Sequence, residues 1–376
     1  MLNCLNQWCI KWRACINVSK SQVMHFRKVR KPRTTKIFYI GNDALDTVHM
    51  YKYLGLIIDE HVKFSLATET LAKSGTRALG SLINLYKKMK DMGFQTFQKL
   101  YQACICPVLD YSSPVWGHSK ITEIESVHNR AMRIFLGVHR FAPIPALLGD
   151  TGWIPCFIRR MLHIVKYWNR LINMEDTRLT KIIFNFDYST RQGKCWSNET
   201  LDIFKTLNIE DLFISKEACN VEYLDTKIES YFCQWWSEQV DNKPKLRMYK
   251  EMKNSPTTEF YVSTFLDSKL RSHLAQIRFG ILPLTIETGR FRGTPLEERL
   301  CICCSENSIE SEYHFIFECG FYENLRNSWF QNMDVNLTDF AVLSLCQKWT
   351  LIFSKPKLTA KFITLAMEKR RQKIYN

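Results

Sequence analysis

A short cysteine- and histidine-rich segment near residue 300 is the strongest constraint on how this chain folds. It contains Cys301, Cys304, His314 and Cys319, with the spacing C-x2-C-x9-H-x4-C. Structural zinc takes four soft or borderline ligands at tetrahedral corners, and two close pairs joined by a loop supply them. The first pair can bend round the metal in a tight turn, and the second pair lies about one helical turn apart, so both side chains can point the same way. The spacing therefore predicts a zinc site.

Two other interpretations of this segment stay open. Cys303 lies between Cys301 and Cys304 and could replace either neighbour as a ligand. Alternatively, the thiols could form a reduced, Cys-rich loop with His314 on the surface. If four protein side chains do bind the metal, no position remains for a reactive water, and we expect a structural zinc rather than a catalytic one.

The charge of the chain points to a polyanionic partner. Among 376 residues there are 52 Lys and Arg but only 37 Asp and Glu, which gives a formal net charge of +15. The hydrophobic content of 46% suits a protein with packed cores rather than a disordered chain. Nucleic acid is the commonest partner of such a basic protein, so we expect nucleic-acid binding.

The chain shows no sign of a membrane or secretory route. Apolar residues near Met1 alternate with polar ones, and no stretch reaches the roughly 18 consecutive apolar residues of a membrane span. The 14 cysteines are therefore expected to be reduced. We expect the protein in the nucleus, the cytoplasm or both, with no membrane partner.

Hydrophobic periodicity predicts a mainly α protein with a small N-terminal antiparallel β element, an α+β fold. Strands are predicted at 22–26, 37–40, 48–51 and 53–58, after a short amphipathic first helix. A helical pattern begins near residue 65. Further helices are predicted at 121–136, ending at Gly137, and at 154–174. The expected architecture is a helical bundle followed by a small zinc-binding module.

The residues alone reveal no active site. The chain has no Gly-rich nucleotide loop, no nucleophile elbow and no HExxH pair. It also contains no Asp-Asp pair, and Asp43, Asp46 and Asp59 are isolated carboxylates. Two-metal phosphoryl transfer needs carboxylates that converge on the ions, so the sequence itself predicts binding rather than catalysis.

Several short motifs follow one another in a characteristic order. They are Trp8-x3-Trp12, Ile16-Asn17, Ser19-Lys20, Val23-Met24-x-Phe26, Tyr51-Lys52-Tyr53-Leu54-Gly55, Pro107-Val108-Leu109-Asp110-Tyr111, Asn129-Arg130-Ala131-x-Arg133, Gly152-Trp153-x-Pro155 and Glu310-x-Glu312-x-His314-Phe315. In this order they resemble the reverse transcriptases of non-LTR (LINE-type, jockey-like) retrotransposons, from the end of the palm through the thumb and connector to the terminal Cys/His module. Each motif is weak alone, and the joint order carries the resemblance.

The resemblance implies roles for two groups near the N-terminus. Lys20 matches a lysine placed near the phosphates of the incoming nucleotide, where a cation would stabilise charge on the leaving group. Tyr53, Leu54 and Gly55 match the primer-grip hairpin, where a small glycine lets the primer terminus approach closely. The alternatives are a solvated lysine and side chains of the sheet core.

The resemblance also implies phosphate contacts for basic side chains. Those expected to contact nucleic acid are Arg27, Lys28, Arg30, Lys31, Arg130 and Arg133. Arg159 and Arg160 are further candidates along the thumb. The alternatives are an exposed loop or a nuclear address for 27–36, and a solvated helix face for the arginines. Trp116 and Trp153 are predicted to be core residues rather than platforms for base stacking.

Five parts of the chain are expected from the resemblance. They are 1–64, the remnant of a palm with a primer-grip-like hairpin; 65–174, a helical thumb and connector; 175–295, a helical linker region; 296–332, a zinc module; and 333–376, a basic C-terminal helix. In the family, RNA template and DNA primer or target are the partners. The structural cofactor is Zn²⁺, whereas Mg²⁺ belongs only to the intact polymerase.

The resemblance begins after the segment in which the family carries its catalytic Asp-Asp pair, and its endonuclease lies further upstream. We therefore expect a C-terminal fragment of an RNA-directed DNA polymerase that has no polymerase activity alone. The alternative is a non-enzymatic zinc protein, derived from such an element and retained by a host, that binds nucleic acid or protein.

Overall fold

The computed structural model describes residues 1–89 and 92–375, apart from the side chain of Leu337. The chain divides into two compact units, Met1–Gly75 and Thr76–Asn376. The finer five-part division stays a prediction.

The first unit contains one complete helix, the start of a second that begins at Ser65, and a few short strands. The complete helix and the strands are α1 (Leu2–Lys11), β1 (Gln22–Val23), β2 (Phe38–Ile40), β3 (Asp43–Thr47), β4 (Met50–Tyr53) and β5 (Leu56–Asp59). The order of the first sheet is β1-β3-β2, and β4 and β5 form a separate hairpin. The small N-terminal β element is confirmed. One of its pairings departs from the antiparallel prediction, because β1 runs parallel to β3. The long connection after β1 allows this, whereas the tight turn between β2 and β3 requires antiparallel pairing.

The strand predicted at 48–51 lies at Met50–Tyr53, and two other predicted strands depart further from their bounds. The segment 53–58 is not one strand, because the chain reverses at Leu54 and Gly55 and pairs Tyr53 with Leu56. Both turn residues have positive φ, +46° and +91°, as the favoured two-residue hairpin turn requires. The segment 22–26 forms a strand only over its first two residues. Strand β3 was not predicted, since Leu45 is its only buried residue and gives little periodicity.

Helices dominate the rest, so the mainly α fold is confirmed. They are α2 (Ser65–Lys88), α3 (Phe94–Cys104), α4 (Cys106–Leu109), α5 (Ser113–Trp116), α6 (Thr122–Leu136), α7 (Ile144–Thr151), α8 (Cys156–Ile172), α9 (Leu179–Thr190), α10 (Trp196–Thr206), α11 (Glu210–Ile214), α12 (Val221–Asp241), α13 (Arg247–Met252), α14 (Phe260–Ser263), α15 (Ser268–Arg278), α16 (Thr285–Phe291), α17 (Glu323–Asn332), α18 (Leu337–Val342), α19 (Leu345–Ser354) and α20 (Pro356–Tyr375). As predicted, α6 ends at Gly137, whose φ of +69° suits a residue without a Cβ. Among the described residues, no helix combines the length and apolar character that crossing a bilayer requires.

Aromatic side chains fill the core between α3, α6 and the start of α8. Phe97, Tyr101 and Phe135 are almost fully buried, and Trp153 stacks on Tyr101 with ring centroids 4.4 Å apart. Trp116 and Trp153 are buried to the same extent. The prediction that Trp116 and Trp153 belong to the core is confirmed, and neither ring is available to a nucleic-acid base.

A buried ionic network joins α7 to three later helices. Asp150 is fully buried and accepts hydrogen bonds from Nε and Nη2 of Arg278, at 2.8 and 2.9 Å. The hydroxyls of Tyr249 and Tyr261 donate to the same carboxylate at 2.8 and 2.7 Å. Burial and the Asp150 charge raise the pKa of both tyrosines, which keeps them protonated as donors. A buried carboxylate needs such partners, so this network fixes the packing of α13, α14 and α15 against α7.

Candidate metal centre and nucleic-acid surfaces

The four predicted zinc ligands come together in the second unit. The ligand atoms of Cys301, Cys304, His314 and Cys319 all lie within 4.8 Å of one another. The sulfurs of Cys301 and Cys319 are 3.9 Å apart, and Cys304 Sγ lies 3.4 Å from His314 Nε2. Zinc–sulfur bonds of about 2.3 Å and zinc–nitrogen bonds of about 2.0 Å separate two sulfurs by about 3.8 Å, and sulfur from nitrogen by about 3.5 Å, in a tetrahedron. The geometry therefore fits a tetrahedral cation.

A π-helical turn brings the second ligand pair together. The segment His314–Glu318 is π-helical, and Cys319 N–H donates to His314 C=O at 2.8 Å. A spacing of five residues exceeds the 3.6 residues of an α-helical turn, so a regular α-helix would rotate Cys319 away from His314. The i→i+5 bonding of a π turn closes this gap. The predicted turn is present, but it is a wider turn than an α-helix provides.

Thiol hydrogen bonds within the cluster favour one thiolate. Donation from the Cys303 and Cys319 side chains lowers the pKa of Cys301 well below its usual range. The same bonds to Cys301, together with burial, raise the pKa of Cys303 and Cys319. Metal ligands are thiolates rather than thiols, and a bound cation would supply the charge that stabilises them.

The imidazole of His314 has the environment of a ligand. It is almost fully buried, with Nε2 turned toward Cys304. Its Nδ1 makes no hydrogen bond with the described residues, although a carboxylate oxygen of Glu318 lies 3.5 Å away. Metal-binding histidines commonly direct their second nitrogen at a carboxylate, which holds the ring in orientation.

Cys303 contacts Cys301 but is not one of the four clustered donors. The hydroxyl of Tyr322 donates to its sulfur at 3.5 Å. Cys303 does lie within 4.8 Å of Cys301 and Glu310, which forms a second cluster. However, Arg370 binds both oxygens of Glu310 at 2.7 Å, and Thr285 N–H donates to one of them at 2.6 Å. The second cluster therefore has no carboxylate left for a metal.

Two glutamates that precede His314 anchor the module to the helices around it. Glu310 pairs with Arg370 of α20, as described, and Glu312 accepts from Arg247 of α13 at 2.6 Å. Both carboxylates are about 99% buried. Neither pair was predicted from the sequence. The position of Glu310 and Glu312 just before Phe315, Ile316 and Phe317 was a usable signal, because a charge buried in such a segment requires a cationic partner.

In the first unit, the structure places the predicted primer-grip residues at a hairpin tip. Tyr53 and Leu54 are 58% and 74% exposed, and Gly55 is exposed beside them. They are therefore not sheet core. Lys20 ends a short 3-10 turn, where Asn17 Oδ1 accepts its backbone N–H at 3.2 Å, and its side chain is exposed.

The basic segment after β1 divides into paired and exposed side chains. Arg27 and Arg33 bind Glu60 at 3.0 and 2.8 Å. Burial opposes ionisation of Glu60, but hydrogen bonds from Arg27, Arg33 and His49 outweigh it and lower the pKa of the carboxyl to about 2. Arg27 thus has a role within the fold, whereas Lys28, Arg30 and Lys31 are exposed.

The arginines of the predicted thumb also divide into exposed side chains and side chains that are paired or buried within the fold. Arg130 is exposed on α6, and Arg133 is half-buried with its guanidinium 3.4 Å from Ala142 C=O. Arg159 binds Asp110 at 2.5 Å. Arg160 is fully buried, lies over the Trp116 ring and donates to backbone carbonyls. The interpretation of Arg160 as a phosphate contact is therefore wrong, because burial excludes a phosphate from its guanidinium.

Comparison with known proteins confirms the resemblance to non-LTR retrotransposon polymerases. The chain is 24% identical over 169 residues to the probable RNA-directed DNA polymerase from transposon X-element of Drosophila melanogaster. It is 25% identical over 128 residues to the RNA-directed DNA polymerase from mobile element jockey of Drosophila funebris. It is 27% identical over 136 residues to the probable RNA-directed DNA polymerase from transposon BS of Drosophila melanogaster.

The matches cover 44%, 34% and 35% of this chain, but only 18%, 14% and 15% of the respective relatives. The matched part is thus less than a fifth of each relative's length. No family model matches the chain, and no solved structure matches it.

Proposed function

We propose that this chain forms the C-terminal, nucleic-acid-holding part of a non-LTR retrotransposon RNA-directed DNA polymerase, where it binds RNA template and DNA primer or target. Similarity to three such polymerases and the net charge of +15 support the proposal. The structural observation that carries it is the tip of the β4–β5 hairpin.

The hairpin tip is built for contact rather than for stability. Leu54 has φ +46°, a left-handed conformation that costs a non-glycine residue about 1–2 kcal/mol. Its side chain is nevertheless 74% exposed, so little burial offsets this cost. Gly55, without a Cβ, allows a second backbone to approach closely. A strained, exposed apolar tip is typical of a functional contact, and a primer terminus is the contact that the resemblance implies.

In the proposal, cations bind phosphates within each unit. In the first unit these are the exposed Lys20, Lys28, Arg30 and Lys31 and the partly buried Arg27. In the second unit they are the exposed Arg130 and the half-buried Arg133. Lys20 would lie beside the nucleotide phosphates in the complete polymerase. Mg²⁺ chemistry belongs to carboxylates that this chain does not supply as a pair. We therefore predict that the isolated chain incorporates no nucleotides on a primed template, and templated incorporation that EDTA abolishes would contradict this.

The hairpin role can be tested with a substitution that relaxes the backbone. Leu54→Gly should stabilise the turn and, because it removes the contacting side chain, weaken binding to a recessed primer–template. Val62→Gly is the matched control, since Val62 also has positive φ (+54°) and is 53% exposed in the same unit. Equal affinity of Leu54→Gly and the unaltered chain for primer–template, measured by fluorescence anisotropy, would remove the tip from the binding surface.

In the same proposal, Cys301, Cys304, His314 and Cys319 hold a structural Zn²⁺, and Cys303 remains outside the site. Three sulfurs and one imidazole nitrogen form a donor set that zinc prefers among common cellular metals. The metal supplies a cross-link between the two ends of the module. We expect about one zinc per chain by elemental mass spectrometry. Cys304→Ser and His314→Ala should lose it, and Cys303→Ser should retain it. Loss from Cys303→Ser with retention in Cys304→Ser would reverse the assignment.

Nucleus, cytoplasm or both are the compartments that this function requires. In that case the exposed cations of 28–36 would form the nuclear localisation signal. A fluorescent fusion of the full chain, compared with a Lys28→Gln, Arg30→Gln, Lys31→Gln variant, tests this by microscopy. An unchanged distribution would exclude that segment as the address.

A further inference from the structure

A cavity of about 1080 Å³ opens in the second unit beside the metal module. One wall is the loop between α6 and α7, and a second is the segment that follows α12. The third wall runs from α16 through Arg299 to Ile309 and Ser311. Its volume lies at the upper end of small-molecule clefts, and it is open to solvent along one side. We call it the basic groove.

The basic groove concentrates positive charge. Eight basic residues and one acidic residue line it, compared with 52 and 37 in the whole chain. The basic residues are Lys120, Arg133, Arg140, Lys243, Lys245, Arg247, Arg290 and Arg299. The acidic residue, Glu287, is already bound by Lys245 and by Arg290. A cleft lined by one sign of charge focuses its field and attracts anions.

Some of these cations stabilise the fold, and others are available to a ligand. Arg299 donates to the backbone carbonyls of Thr294 and Ile286, so it holds the wall in place. In contrast, Arg140 and Lys243 are exposed, and no carboxylate among the described residues lies within ion-pair distance of either. They stand on two different walls, which suits a chain of phosphates that passes between them.

Aromatic rings accompany the available cations. Phe141 is 64% exposed, and the guanidinium of Arg140 lies 4.6 Å above its ring centroid. Half-buried Trp235 has Lys120 Nζ 5.8 Å from its ring. Exposed aromatic rings beside cations are the platform on which proteins stack unpaired bases while the cations bind the backbone.

We propose that the basic groove binds a single strand of nucleic acid, with Arg140 and Lys243 on the phosphates and Phe141 stacked against an unpaired base. This inference rests on the proposed function, in which the chain binds nucleic acid, and it assigns a surface distinct from the hairpin tip. A single strand is favoured over a duplex, because duplex bases stack on one another and leave no face for a phenyl ring.

The experiment measures anisotropy of labelled oligouridylate, oligothymidylate and a blunt duplex of equal length with the full chain. Phe141→Leu keeps an apolar side chain but removes the ring, and it should weaken single-strand binding about tenfold with an unchanged salt slope. Phe141→Tyr keeps an aromatic ring, so it should bind the single strands with the affinity of the unaltered chain.

The double variant Arg140→Gln with Lys243→Gln should reduce the slope of log affinity against log salt by about 1.4, since each phosphate contact contributes about 0.7. Lys194→Gln with Lys205→Gln, 92% and 59% exposed outside the groove, is the charge-matched control. Melting curves establish that each variant is folded.

The outcomes separate this inference from the proposed function. If the unaltered chain binds none of the three ligands, both fail. If it binds but the groove variants match the Lys194/Lys205 control, only the groove assignment fails. If the groove variants lose duplex binding as much as single-strand binding, the groove assignment also fails, because the groove is then a general cationic surface. Binding of polyglutamate but not of oligonucleotides would overturn it in favour of an acidic protein partner.

Discussion

The contact between Glu310 and Arg370 allows a quantitative test of how the metal module is attached to the helices. Arg370 donates two hydrogen bonds of 2.7 Å to Glu310, and the two side chains are 6% and 1% exposed. Burial would lower the pKa of an arginine, but the hydrogen bonds that Arg370 donates to Glu310, and the Glu310 charge, outweigh it and raise the pKa of Arg370. The perturbation we consider is Arg370→Met, which keeps the length of the side chain and removes its charge.

The expected magnitude follows from what Arg370→Met leaves behind. Glu310 would remain buried with Thr285 N–H as its other described donor. An uncompensated buried charge of this kind destabilises a protein by about 3–5 kcal/mol. Replacing both partners, as in Glu310→Leu with Arg370→Met, removes the charge but leaves Thr285 N–H without its acceptor, which costs about 1–3 kcal/mol. The double variant should therefore be more stable than the single one.

Urea denaturation followed by tryptophan fluorescence measures these differences. With a slope near 3 kcal/mol per molar urea, Arg370→Met should lower the midpoint by about 1 M or more. Lys269→Met is the matched control, because Lys269 pairs with Glu368 of the same helix, α20, but with the side chains 57% and 43% exposed. Equal midpoints for Arg370→Met and Lys269→Met, or a double variant less stable than Arg370→Met, would refute the reasoning.

Three further predictions concern acid stability, a glycine and the metal. The pKa of Glu60 is held at about 2, below its ordinary 4.5, so the stability that its ionised form contributes is present above pH 4.5 and lost as pH falls toward 2. Glu60→Gln should make the far-ultraviolet circular dichroism of the first unit less sensitive to pH between about 4.5 and 2. An acid unfolding transition at the same pH in both proteins would contradict this. Gly152→Ala should lower the melting temperature more than Gly193→Ala, because both have positive φ but only the Cβ at 152 meets backbone, 2.8 Å from Thr258 N. Equal decreases in melting temperature would show that the backbone at Thr258 can shift to accommodate the added Cβ. Chelation of the metal should weaken single-strand binding by the unaltered chain, whereas binding that survives complete zinc removal would separate the groove from the metal site.

Local sequence pattern was sufficient for features that depend on neighbouring residues. The spacing of Cys301, Cys304, His314 and Cys319 predicted a cluster that the structure assembles, and Gly137 predicted the end of α6. The prevalence of aromatic side chains in protein cores predicted that Trp116 and Trp153 are buried. The metal cluster and the end of α6 are set by residues close in sequence, whereas the burial of the two tryptophans follows from residue type alone.

Features that depend on distant partners could not be predicted in the same way. Asp150 meets Arg278 across 128 residues, and Glu310 meets Arg370 across 60. Nothing in their local pattern specifies these partners, although the buried charges require some partner. Periodicity missed the reversal at Leu54, although the resemblance implied a hairpin there. Leucine is an unfavourable residue for positive φ, so propensity favoured a continuous strand.

The metal site and the basic groove are linked through one stretch of backbone. Ile309 and Ser311 line the groove and lie between the two proposed ligand pairs. Leu300 forms an antiparallel bridge to Ile309, and Arg299 C=O accepts Glu310 N–H at 3.0 Å, so this wall continues directly from the cysteines. Glu310 and Glu312 then attach the same stretch to α20 and α13. A cation that closes the four-ligand site would fix both ends of the wall, while the two ion pairs fix its middle. In the proposal, a structural metal would therefore influence binding without touching the ligand, because it would fix the wall of the groove that carries Arg299, Ile309 and Ser311.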